Sequence, residues 1–254
     1  MLTGALIILG AILIWSLGFE IYARNAEKDG VIDEKISLVT LTLDNTTLNL
    51  EGTGDESLSY SFTRSGALEW KMYGEELRLQ ARGGILNIRV PENLDLQSIH
   101  ISNSKEDIYI SGIESDEIEI STDGSLVMQD VDAKRAKLEI ASGDISSSEF
   151  DLLLMKASEA LDITETDMVS STLIFASQDC TILGGSIGDI TASSSEGCLE
   201  IEPENGIFTI TVTGGASTIF IDSEDTSSQS YRDDENPNGA RIKFTSPTGS
   251  VKTC

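Results

Sequence analysis

The sequence predicts an all-β protein: a parallel β-solenoid (β-helix) with an antiparallel β lead-in, preceded by one N-terminal transmembrane helix. Three observations predict it. An uncharged apolar run opens the chain, strands with two-residue alternation follow, and from about residue 96 a motif recurs roughly every 18 residues. The expected division is residues 1–30 for the anchor and a short linker, 31–95 for the lead-in or cap, and 96–254 for the repeats, with an acidic loop near 222–240.

Residues Leu2 to Phe19 carry no charge. As a helix rising about 1.5 Å per residue they span roughly 27 Å, close to the thickness of a bilayer's hydrocarbon core. Ile21, Tyr22 and Ala23 extend the segment past Glu20, and Trp15 and Tyr22 suit an interfacial position. A cleaved signal peptide is the competing reading. It lacks support from a basic leading region or a clean small-x-small site. The cations that follow, Arg24 and Lys28, taken alone favour a cytoplasmic side for the rest of the chain.

In residues 31–95, Val39, Leu41 and Leu43 alternate with polar residues, as do Leu48 and Leu50, then Leu77 and Leu79, then Leu86, Ile88 and Val90. Period two predicts half-buried strands. Pro91 closes the last of them, because it cannot donate to a ladder.

Beyond residue 96 the copies begin at Ile99, Ile118, Leu138, Leu154, Leu173, Ile190 and Phe208, with starts 16 to 20 residues apart. A looser copy, IKFTSPTGSV, begins at Ile242. Each copy pairs an apolar-x-apolar run with a turn of small residues such as Ser142-Gly143-Asp144 or Ser195-Glu196-Gly197. Such a period fits one coil of a solenoid, whose strands stack on those of its neighbours. An antiparallel sandwich of hairpins is the alternative, but a near-constant period is harder to obtain from hairpins. The same register points Cys180 and Cys198 inward in adjacent coils. Stacked strands lie about 4.8 Å apart, inside the Cα window of a disulfide. Two buried thiols acting as small hydrophobes fit the pattern as well, so Cys180 and Cys198 are a candidate disulfide and no more.

Charge narrows the function classes. The 254 residues hold 43 Asp and Glu against 17 Lys and Arg, a formal net charge of -26. So acidic a chain repels phosphate, and nucleic acid is excluded as a partner. One histidine and three cysteines leave little for a zinc site or a histidine-based active site. Gly184-Gly185-Ser186-Ile187-Gly188 matches the G-x-S-x-G nucleophile pattern, but that pattern needs a following helix and a nearby histidine base. With Asp189 it loosely matches a glycine-rich calcium repeat, but Ile187 replaces the third glycine. His100, between Ile99 and Ile101, should face outward on its strand. Carboxylate groups at Glu114, Asp116 and Glu117, and at Asp233, Asp234 and Glu235, read as a solvated surface. Asn45-Thr46-Thr47 fits a glycosylation sequon. No catalytic residue, metal site or cofactor is expected.

The run LNIRVPENLDLQSIHISNSKEDIYI, the Ser-Gly-Asp-Ile turn at 142–145 with its partial echo at Gly188-Asp189-Ile190, and the overall layout resemble the adhesin-like β-solenoid domains of bacteria catalogued as DUF4097. The resemblance covers roughly residues 36–254. The turn departs from the pattern at 158–161 (Ser-Glu-Ala-Leu) and 177–180 (Ser-Gln-Asp-Cys). It implies a non-enzymatic domain anchored in the cell membrane by residues 2–23 and facing the extracytoplasmic side, and it transfers no catalytic residues. The acidic surface favours cationic peptides, basic proteins or envelope ligands. The alternative is a cytoplasmic, membrane-associated β-solenoid that polymerises as a bactofilin-like scaffold, in keeping with Arg24 and Lys28.

Overall fold

The computed structural model of the chain describes residues 28–63, 66–175, 180–194, 199–202, 205–213, 219–223, 229–233, 239–245 and 249–253. The expected membrane segment at 2–23, Cys198 and Cys254 lie outside the described residues. All secondary structure among the described residues is β-strand, arranged in two twelve-stranded sheets.

The lead-in holds β1 (Lys28–Ile32), β2 (Leu38–Asp44), β3 (Thr47–Thr53), β4 (Leu58–Thr63), β5 (Ala67–Tyr73), β6 (Glu76–Arg82) and β7 (Ile85–Pro91). It is mixed, not antiparallel as expected. The pairs β1–β4, β4–β7 and β5–β6 are antiparallel, whereas β2–β6 and β3–β7 are parallel. On their other sides β2 and β3 pair parallel with β8 (Ser98–Asn103) and β9 (Ile108–Ser111). The β2–β3 layer therefore precedes both of its neighbours in sequence but sits inside the stack, between β6–β7 and β8–β9. Two-residue alternation looks the same in either strand direction, so the sequence does not reveal this.

The chain then alternates between the sheets. One sheet receives β9, β11 (Ser125–Gln129), β13 (Ser142–Ser146), β15 (Leu161–Thr164), β17 (Cys180–Leu183) and β19 (Leu199–Glu202). The other receives β8, β10 (Glu114–Thr122), β12 (Asp132–Ile140), β14 (Glu149–Ala157), β16 (Asp167–Phe175), β18 (Ser186–Ser194) and β20 (Asn205–Thr213). We call these sheet I and sheet II. Along this run each strand pairs parallel with the strand two positions on.

Register turns the repeats into columns. In sheet II, Ile99, Ile118, Ala136, Leu153, Ser171, Ile190 and Phe208 are successive partners, 17 to 19 residues apart. The starts read from sequence match at 99, 118, 190 and 208 and slip by one or two between, because Ala136 and Ser171 hold core positions without looking apolar. In sheet I, Leu48, Ile108, Leu126, Gly143, Leu161, Cys180 and Leu199 form a column, with Leu50, Ile110, Met128, Ile145, Ile163, Ile182 and Ile201 beside it. The inward residues of both sheets merge into one apolar core running from Ile32 to Ile182 among the described residues.

A repeated corner holds this spacing. Where the chain passes from sheet I to sheet II, Gly112, Asp130, Ser147, Glu165 and Gly184 all take positive φ, from 49° to 71°. The backbone N–H of each of the first four donates to a carbonyl one layer on, Gly112 to Gln129 and Asp130 to Ser146 for instance, at 2.9 to 3.2 Å. Only two of the five are glycine, so the corner is nearly invisible in the sequence.

Past β20 the direction reverses. β21 (Ile219–Ser223), β22 (Gln229–Asp233), β23 (Gly239–Thr245) and β24 (Gly249–Thr253) are joined by antiparallel pairs, with β23 on β20 and β24 on β19. The expected last copy at Ile242 lies in β23 and pairs antiparallel with Ile210. The stretch expected as an acidic loop near 222–240 contains β22.

Candidate functional site

Alternation in β10 and β12 sends Ile118, Ile120, Ala136 and Leu138 inward and their charged neighbours outward. The outward acids of β10 meet the outward bases of β12. Arg135 Nη1 lies 3.7 Å from Glu117 Oε1, and Lys134 Nζ lies 2.5 Å from Asp116 Oδ1. Lys137 Nζ donates to Glu119 Oε1. That bond, partly opposed by desolvation, holds the Glu119 carboxyl below its ordinary range, and it raises Lys137. In the sequence Asp116 and Glu117 read as plain surface charge. The missing signal was register: these residues become neighbours only once the 18-residue offset of β12 is known.

His100 faces outward on β8, as expected, but it is not isolated. Its Nε2 is 2.8 Å from Ser98 Oγ and its Nδ1 is 3.3 Å from Glu119 Oε2. Hydroxyl, imidazole and carboxylate thus stand in the order of a nucleophile relay. Such a relay also needs donors aimed at an oxyanion. Here β8 lies between β2 and β10, and its backbone N–H groups are committed to those ladders. Ser98 is itself buried. The arrangement ties β8, β10 and β12 together across the outer face.

The outer face of sheet I is polar near its N-terminal end and acidic farther on. Asp29, Ser61, Asn87, Asn49, Tyr109, Val127, Asp144 and Asp162 are successive register partners. Asn49 Nδ2 donates to Asn87 Oδ1 at 2.7 Å, and Asn87 Nδ2 to Ser61 Oγ at 3.1 Å. A shallow groove of about 470 Å³ runs over this end, lined by Asp29, Glu51 and Arg89 beside the amides. Asp144 and Asp162 stand side by side, flanked by Val127 and Thr181, and the row continues through Glu200 to Lys252.

The other residues singled out from sequence fall into the scaffold. Cys180 is buried, its register partners are Leu161 and Leu199, and burial pushes its thiol far above the ordinary value. Its pairing with Cys198 lies outside the described residues. Gly184 and Gly185 form the turn between strands β17 and β18, so the G-x-S-x-G run leads into a strand. A Cβ on Gly185 would stand 2.2 Å from the Thr166 carbonyl oxygen, and its φ is +69°, so the glycine serves the corner. Asn45 occupies the exposed turn between β2 and β3 at φ +48°.

No family model matches the chain, and no curated protein matches it. Solved structures that resemble it include one described as a "putative cell adhesion protein" from Clostridium sporogenes, at 11% identity and a TM-score of 0.33, covering 73% of this chain and 98% of that one. Another, a "putative adhesin" from Parabacteroides distasonis, has 9% identity and a TM-score of 0.29, covering 75% of this chain and 95% of that one.

Proposed function

We propose that the chain is a membrane-anchored, non-enzymatic binding or scaffold module of the bacterial cell envelope, extracytoplasmic and adhesin-like. In this reading the two alternating sheets are the walls of a β-solenoid, one coil for each 17- to 19-residue step. Parallel pairing from β8 to β20 and the recurring left-handed corner support the coil. Residues 2–23 supply the anchor.

The observation that carries the binding reading is where the cations go. Lys35, Arg78, Arg82, Arg89, Lys134, Arg135 and Lys137 each sit within ion-pair distance of a carboxylate. The excess acid is left on the faces, as at Asp144 and Asp162. Acidic faces on which these seven cations are already engaged suit a cationic peptide or a basic protein.

Titration of the full chain in detergent with an oligolysine peptide tests this. Binding should weaken about tenfold or more between low and high salt, since exposed charges are screened beyond a Debye length. Asp144→Asn with Asp162→Asn should weaken it further. Binding indifferent to salt would remove the electrostatic basis. Protease added to intact cells tests sidedness: digestion of residues 31–254 supports the extracytoplasmic reading, and survival until the membrane is opened overturns it.

A further inference from the structure

The two sheets finish at one end in β1 and β5. Among the described residues β1 pairs only with β4 and β5 only with β6, so each presents an unpaired edge. Large apolar side chains collect there: Val31 is 61% exposed, Trp70 40% and Tyr73 54%. Trp70 reaches Tyr60, which packs against the core. Its Nε1 donates to the Tyr60 hydroxyl at 2.9 Å, with the rings edge-to-face at 6.4 Å. The Arg78 guanidinium lies 4.7 Å from the centre of the Tyr73 ring. Charge behaves differently here as well. Strands β1 and β5 carry Lys28 and Lys71 against Asp29 and Glu69, a balance of zero in a chain of net charge -26.

We propose that this β1–β5 end rests on the lipid headgroup layer, with Trp70 and Tyr73 in the interface and the sheets extending away from the membrane. The inference rests on the reading of residues 2–23 as a membrane anchor. If the span ends at Ala23, five residue steps lead to Lys28, at most roughly 17 Å of extended chain. The headgroup region occupies about 5–8 Å of that distance. The first strand of the fold is thus held within about 10 Å of the headgroups, and it is the outermost strand of this end. Trp and Tyr are the side chains that settle at headgroup level, an apolar ring joined to a polar edge. A neutral end spares the contact the repulsion that the acidic faces would meet from anionic lipid.

The chain's two tryptophans, Trp15 and Trp70, separate the tests. Full-length Trp15→Phe and Trp70→Phe proteins are reconstituted into phosphatidylcholine–phosphatidylglycerol vesicles whose acyl chains carry bromine near the headgroup. Fluorescence then reports Trp70 alone in the first protein and Trp15 alone in the second. Loss of Trp70 emission to shallow bromine, together with loss of Trp15 emission, is the expected result. Quenching of Trp15 while Trp70 stays bright and open to aqueous acrylamide overturns the docking and leaves the anchor standing. Trp70 shielded from both bromine and acrylamide means a second copy covers the edge, and the proposal fails. An unquenched Trp15 removes the anchor, and if Trp70 is also unquenched the docking falls with it.

Discussion

Lys137 Nζ lies 2.5 Å from Glu119 Oε1, and the two residues are direct register partners on neighbouring parallel strands. The contact lowers the Glu119 carboxyl from its ordinary 4.5 and raises Lys137 from 10.5. The carboxylate's contribution is present above its ordinary value and lost as pH falls through the lowered one. The ammonium's contribution is present below its ordinary value and lost as pH rises through the raised one. A Lys137→Met protein should therefore melt below the parent between about pH 5 and pH 10, with the gap closing towards either extreme. Both groups are exposed, so the gap is small and shrinks in salt. Melting temperatures across pH check this; a gap constant down to pH 2 is the contrary result.

The corner at Ser147 makes a second prediction. Its φ of +49° is a conformation that a side chain disfavours. Ser147→Gly should stabilise the fold by about 0.5–1 kcal/mol, the relief of strain exceeding the added chain entropy. The same change at Ser146, the last residue of β13, relieves no such strain and should destabilise instead. Urea unfolding of the two variants distinguishes a strained corner from a general tolerance of glycine.

Ser171 occupies an apolar column between Leu153 and Ile190. Its hydroxyl is buried without a hydrogen-bond partner. Ser171→Ala removes that unpaired group and should raise stability by about 1 kcal/mol. A loss of stability in denaturant titration would show that the hydroxyl has a partner after all.

Cys180 is buried, and the burial that raises its pKa also withholds its thiolate. Iodoacetamide at pH 8 should leave it unlabelled in the native chain and label it after unfolding, as read by peptide mass. Mapping without reductant also decides whether it is joined to Cys198.

The legible part of the fold was the part written in side-chain size. Leu41, Ile101, Ile120 and Leu138 announce their strands because each is large and apolar, and they do stack. The register between coils was less legible. Ala136, Gly143 and Ser171 sit in core columns where a small residue carries no hydrophobic signal. The outer-face row of His100, Glu119 and Lys137 depended on that register. The lead-in hid its parallel pairs because the placing of β2 and β3 inside the stack is a decision about layer order, and alternation is silent on layer order.

That buried β2–β3 layer bears on how the molecule changes length. Its two flanks are taken by different segments, β6–β7 on one and β8–β9 on the other. The β6–β7 flank is soon closed by β4, β5 and β1, whereas the other continues coil after coil. An added or deleted repeat can therefore be absorbed on one side only. Each would shift the distal strands by about 4.8 Å without disturbing the capped end. Length can then vary in descendants of this chain as a ruler extends, in single steps from a fixed zero.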